Sequence, residues 1–110
     1  MPKPWRLTRQ AEAALTDIAR WTIETFGPRQ AEAYEDDLIE RCQAIANGTA
    51  HSQSCRRIID RDLPEDLRFT RAGQHFVVFI ESTDAIVVVD FLHGRSDLPA
   101  RLARLSEPDR

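Results

Sequence analysis

The residues best suited to chemistry lie in the second half of the chain: Arg68, Arg71, His75, His93 and Arg95. Histidine titrates near neutral pH, and arginine is a permanent planar cation. Cleavage of RNA through the 2′-hydroxyl needs a general base, a proton donor for the leaving group and cations near the phosphate. This set nominally fills those roles. The surroundings oppose that use. The sheet face predicted below to carry Arg68 and His75 is hydrophobic in its middle, carries Asp90, and holds no lysine or tyrosine. An anionic substrate would lose favourable field there. A histidine on a strand is more often a satisfied structural residue than a catalyst, and Arg68 with Asp90 reads as a surface ion pair. The three histidines, His51, His75 and His93, lie far apart, and no CxxC, HExxH or glycine-rich phosphate loop occurs. Serines, threonines and cysteines stand without a recognisable activating partner. The residue types predict no catalytic set, no metal and no cofactor; a binding surface fits them better than a cleft.

Composition sets the same bounds. At 110 residues, with 42% hydrophobic and 30% charged content, the chain suits one domain over 1–110. A net charge of −3 argues against a protein that lives on a polyanion. Two cysteines are too few for a bridge-dependent fold; Cys42 falls in a helical stripe, Cys55 in a polar loop, and both are expected reduced. MPKPWRLT holds no apolar signal segment, and no stretch is long enough to span a bilayer. A soluble cytoplasmic protein without membrane contact is the expectation.

The elements that position these residues can be read in order. Trp5-Arg6-Leu7 suits a first strand. Thr8 suits an N-cap for the helix after it, in which Ala11, Leu15, Ile18, Thr22 and Phe26, flanked by Ala14 and Trp21, recur at helical spacing. Gly27-Pro28 closes that helix and opens another, so the two fold back as a hairpin. Ala31, Tyr34, Leu38, Cys42 and Ile45 are the apolar stripe of the second helix. Its outer side is acidic through Glu32, Glu35, Asp36, Asp37 and Glu40, which reads as a solvated face. Asn47-Gly48 ends it. Thr49 to Asp66 is irregular and nearly neutral, a surface connection with room for a short Arg-Ile-Ile turn or strand. Three β-rich runs then follow, Leu67 to Thr70, His75 to Ile80 and Ala85 to Leu92, with short turns between them: an antiparallel meander. Asp97, Leu98 and Pro99 can start a terminal helix with Leu98, Leu102 and Leu105 on one side, and residues 106–110 are expected to fray. The fold class is therefore α+β, ordered β-α-α-β-β-β, with the antiparallel sheet packed on a helical hairpin and a short C-terminal helix.

The turns also suggest a register. They place Leu67, Phe69, Phe76, Val78, Ile80, Val87, Val89 and Phe91 on one face, apolar throughout and so assigned to the hairpin. The other face carries Arg68, Thr70, His75, Val77, Phe79, Val88, Asp90 and Leu92, with Arg68, Val77 and Asp90 in one row and Thr70, His75 and Leu92 in the next. Apolar groups among polar ones on an uncovered face predict a partner surface. A one-residue slip would invert the assignment.

A family resemblance joins these readings. Trp5, Leu7, Thr8, Ala11, Leu15 and Ile18 fit an opening W-x-L-T-x-x-A-x-x-x-L-x-x-I. Phe26, Gly27, Pro28, Gln30, Ala31 and Tyr34 fit F-G-P-x-Q-A-x-x-Y, with Leu38 beyond. Leu67-Arg68, the G-x-H of Gly73 and His75, and the L-H-G-R-x-D of Leu92, His93, Gly94, Arg95 and Asp97 complete the series over residues 5–97. The chain resembles the ParE family of type II toxins. The resemblance implies the RelE/ParE fold and a ParD-like antitoxin whose C-terminal segment wraps the toxin in a hetero-oligomer. It implies DNA gyrase as target, blocked by protein contact, with DNA reached only through the antitoxin. RelE-like relatives on the same fold are ribosome-dependent mRNA endonucleases, so fold alone does not choose. A degenerate member that only binds its antitoxin is the third reading.

Overall fold

The computed structural model describes residues 3–105. Strand β1 (Trp5–Leu7) leads into helix α1 (Arg9–Phe26) through Thr8, whose hydroxyl accepts the Ala11 N–H at 3.1 Å as the sequence predicts. Gly27, at φ +96°, separates α1 from α2 (Pro28–Asn47), where Pro28 opens the first turn without losing a bonded N–H. Gly48 closes α2 in the left-handed conformation, its N–H returning to the end of the helix. The connection then forms a two-residue strand β2 (Gln53–Ser54) and one turn of helix α3 (Cys55–Ile58). The meander follows as β3 (Leu67–Ala72), β4 (His75–Glu81) and β5 (Ile86–His93), and helix α4 (Leu98–Leu105) ends the described chain. The expected fraying of 106–110 and the side chain of Leu105 lie outside the described residues.

The sheet runs β1-β5-β4-β3-β2, antiparallel except that β1 lies parallel to β5. The fold is thus α+β, a five-stranded sheet with a helical hairpin and a short C-terminal helix.

Along β3, β4 and the first half of β5 the hairpin covers the face opposite to the sequence expectation, while Phe91 lies under the hairpin as expected. Val77, Phe79, Val88 and Phe91 pack with Ala11, Leu15, Leu38 and Cys42 of α1 and α2. Phe79 is 1% exposed, and Val77 and Val88 are 0% exposed. Leu67, Phe69, Val78 and Leu92 form a second cluster with Cys55, Leu63 and Leu102, against which Phe76, Ile80, Val89 and Leu98 also pack. The physical reason is that both faces are apolar, so alternation along the strands cannot say which one the hairpin takes. The Thr49–Asp66 connection, read as surface, supplies the second cover through buried Cys55 and Leu63, and α4 adds Leu102.

A β-bulge alters the rows as well. Phe79 pairs with Val88 but Val78 pairs with Asp90, which leaves Val89 as an extra residue in β5. Beyond it, alternation flips: Phe91 and His93 join the hairpin face, while Asp90 and Leu92 turn to the α4 side. The observed rows are Arg68–Phe79–Val88, Thr70–Val77–Phe91 and Ala72–His75–His93. Neither predicted row forms. Two further corrections concern α1. Trp21 (58% exposed) and Phe26 (64% exposed) stand in solvent, in edge contact at 5.8 Å, because the core contacts of α1 run through Ala11, Leu15, Ile18 and Thr22 instead.

Candidate functional site

The predicted binding face is not a free surface. Val77, Phe79 and Val88 are interior to the hairpin core, and Leu92 and Asp90 are buried on the α4 side. Asp90 does not meet Arg68. Its carboxylate accepts the Phe91 N–H at 2.8 Å, and burial raises its pKa against that bond, the Gln10 side chain and the charge of Arg101. Arg68 instead donates to the Ser52 hydroxyl (2.8 Å) and carbonyl (3.0 Å), with Glu81 at 3.7 Å. Thr70 is buried and donates to the His51 carbonyl. Arg68 and Thr70 therefore tie the α2–β2 connection to the sheet. Of the predicted face, Arg68 and His75 alone stay partly open.

The structure brings other residues together at the end of the sheet. The β3–β4 turn is Gly73-Gln74, and Gly73 sits at φ +62°, which favours glycine. Tyr34 of α2 lies directly on it: a Cβ at Gly73 would fall 2.7 Å from the tyrosine ring. The Tyr34 hydroxyl is 2.7 Å from His75 Nδ1, accepts the Gln74 N–H at 3.0 Å, and lies 3.3 Å from the Ala72 carbonyl. One hydroxyl thus joins α2 to both sides of the turn. The His75 ring meets the exposed His93 ring edge-on at 5.1 Å. His93 Nδ1 accepts the Arg95 N–H at 3.0 Å, which leaves Nε2 as its donor when neutral. Arg71 donates to the Gly73 carbonyl and its guanidinium carbon lies 5.4 Å from the centre of the Phe76 ring. Asp97 accepts the Ala100 N–H and starts α4.

Electrostatically the Tyr34–His75 pair is held neutral. Burial, then the neighbouring His93, lowers the His75 pKa from 6.5 to about 4. Burial raises that of Tyr34, against the Gln74 N–H and Arg71 and with Asp37. At pH 7 neither group is charged, so they form a hydrogen-bonded lock rather than an ion pair. A cleft beside this lock is lined by Tyr34, Asp37, Glu40, Arg41, Ala44, Ala72 and Gly73. Among the described residues no group of His, Cys, Asp or Glu is placed to hold a metal, and no helix is long and apolar enough to cross a membrane. Cys42 and Cys55 are free, buried in separate clusters, and pushed up to about 12 and about 11 by desolvation, which suits inert core thiols. The expectation that Cys55 sits in a polar loop is corrected by that burial.

Strand reasoning missed Tyr34 here, since it assumed a sheet end without tyrosine. A tyrosine in an otherwise buried stripe needs a partner for its hydroxyl, and that was the available signal. The convergence is also notable for the motifs: Tyr34, Gly73, His75, His93, Gly94 and Arg95 come from three separate segments and meet at one place.

In fold the chain is similar to a solved chain described as from the chromosomal ParDE TA system of P. aeruginosa. The two agree with a TM-score of 0.63 over 83% of this chain and 95% of that one, at 19% identity, which is a likeness of fold. The family model for the ParE toxin of the type II toxin–antitoxin system parDE matches residues 5–98, and the chain belongs to that family. It is 30% identical over 100 residues to Toxin ParE1 of Caulobacter vibrioides, covering 91% of this chain and 98% of that protein. It is 31% identical over 98 residues to Toxin ParE of Escherichia coli, covering 88% and 90%.

Proposed function

We propose that this toxin acts without catalysis: it inhibits DNA gyrase by protein contact in the cytoplasm and is neutralised by a ParD-like antitoxin in a hetero-oligomer. DNA is met only through the antitoxin, and no cofactor is used. The carrying observation is the neutral Tyr34–His75 lock. A general base for RNA cleavage works best with a pKa near the operating pH, whereas His75 is lowered to about 4 and its Nδ1 is engaged by a tyrosine. Family membership and the P. aeruginosa likeness support the antitoxin part of this reading. With Val77, Phe79 and Val88 in the core, the antitoxin surface moves to the rim, which includes Arg71, His93, Arg95 and the partly open Arg68 and His75.

Expression without the antitoxin should arrest growth, induce a DNA-damage response, and leave purified gyrase unable to supercoil. Growth arrest accompanied by cut messages would overturn this. One observation favours a second reading, an mRNA endonuclease: the sheet end does hold a tyrosine beside two histidines and Arg71. Primer extension on translated messages decides, since the absence of new 5′ ends after induction excludes it.

A further inference from the structure

We infer that Arg71, presented beside residues 93–95 at the end of the sheet, is the docking point for a carboxylate of a partner peptide. The inference rests on the toxin–antitoxin reading and names the chemistry by which that partner is gripped. Arg71 is exposed, yet its guanidinium is held. Nε donates to the Gly73 carbonyl at 3.0 Å, the Phe76 ring lies beside its central carbon, and the terminal nitrogens lie 3.6 and 3.8 Å from where a Cβ on Gly94 would stand. Gly94 is itself fixed, its N–H donating to the Gln74 carbonyl at 2.9 Å.

These contacts engage the Nε edge and set the terminal nitrogens close to Gly94. No carboxylate among the described residues takes the rest: the ion pairs there are Lys3–Glu81, Arg20–Asp17 and Arg68–Glu81. Arg95 and His93 stand next to it, exposed, and Arg95 is also without an acidic partner among the described residues. A planar fork on an exposed side chain, already held at Nε, accepts a carboxylate in two parallel hydrogen bonds and loses little further rotamer entropy in doing so.

Charge around the site selects a carboxylate on a peptide over a phosphate backbone. Across Tyr34 and Gly73 the neighbouring cleft is lined by Asp37 and Glu40 against the single cation Arg41, and the rest of the outer face of α2 adds Glu32, Glu35 and Asp36. A polyanion crossing the sheet end would run into that field, whereas a segment with single acidic residues need not.

The test is isothermal titration of full-length protein with the full-length ParD-like antitoxin that the toxin–antitoxin reading expects beside its gene, at low and high salt. Arg71→Gln should weaken binding roughly ten- to hundred-fold, as loss of a charge-assisted pair does. Arg71→Lys, with the charge but without the fork, should fall between. Arg95→Gln, an exposed change that leaves the turn intact, should weaken binding less and reduce its salt dependence. One Glu→Gln or Asp→Asn change in the antitoxin tail should reproduce the Arg71→Gln loss and add nothing to it in the double variant. Wild-type affinity in a folded Arg71→Gln protein overturns the inference while leaving the toxin–antitoxin reading intact. So does an Arg71→Gln protein that keeps the antitoxin but loses retention of a single-stranded RNA oligonucleotide. If the wild-type protein fails to bind the antitoxin, the toxin–antitoxin reading itself falls, and this inference with it.

Discussion

Tyr34→Phe isolates a single oxygen atom that joins α2 to the β3–β4 turn. The ring stays against Gly73, so packing is preserved and only hydrogen bonds are lost: the 2.7 Å contact to His75 Nδ1, the 3.0 Å bond from the Gln74 N–H and the weaker 3.3 Å contact to the Ala72 carbonyl. A typical intramolecular hydrogen bond contributes about 0.5–1.5 kcal/mol net. His75 and Gln74 sit near solvent, so water replaces part of what is removed, and the expected total is about 1–2 kcal/mol. For a domain near this size that lowers Tm by roughly 5–15 °C. Urea melts of wild type, Tyr34→Phe, His75→Ala and the double variant should share one m value and give a coupling of about 0.5–1.5 kcal/mol. The pair also has a pH signature. The folded pKa of His75 is about 4 against 6.5 for the free side chain, so between these values the unfolded chain binds more protons. Its contribution is complete above about pH 6.5 and is lost progressively as pH falls toward 4. Unchanged Tm in Tyr34→Phe together with zero coupling would refute the lock.

The remaining predictions concern the layers on either side of the sheet. Phe79→Ala should cost about 3–5 kcal/mol in denaturant melts, and Phe79→Asp should yield no folded protein; a folded Phe79→Asp protein would mean that the hairpin does not cover this residue. Leu102→Ala should cost about 2–5 kcal/mol, with hydrogen-exchange protection falling first in α4; equal protection in both proteins would show that α4 is held by other contacts. Gly73→Ala forces a Cβ to within 2.7 Å of the Tyr34 ring at φ +62°, so it should destabilise by at least about 1–2 kcal/mol and shift the tyrosine resonances; a neutral Tm would contradict that packing. Thr8→Ala removes the α1 cap and should cost about 1 kcal/mol, read as a lower Tm at unchanged m value.

Local physics was legible in the residues. The Thr8 cap, the Gly27-Pro28 break, the Gly48 stop and the α2 stripe each depend on interactions within a few positions, and each stands where the spacing puts it, whereas the first meander turn, expected at Ala72-Gly73, lies one residue later at Gly73-Gln74. The family motifs were legible for the same reason, since they are strings of residue types. Three features were decided by tertiary structure alone. Both sheet faces are apolar, so which one meets the hairpin depends on the competing burial offered by Leu63, Cys55 and Leu102, far along the chain. The bulge at Val89 depends on keeping Phe91 against Val77 while Leu92 lies under α4, a compromise between two cores. The meeting of Tyr34 with His75, and of Arg71 with Gly94, needs α2 and two turns to be in place first. Periodicity reports that a residue is buried or exposed; only the closed fold says against what.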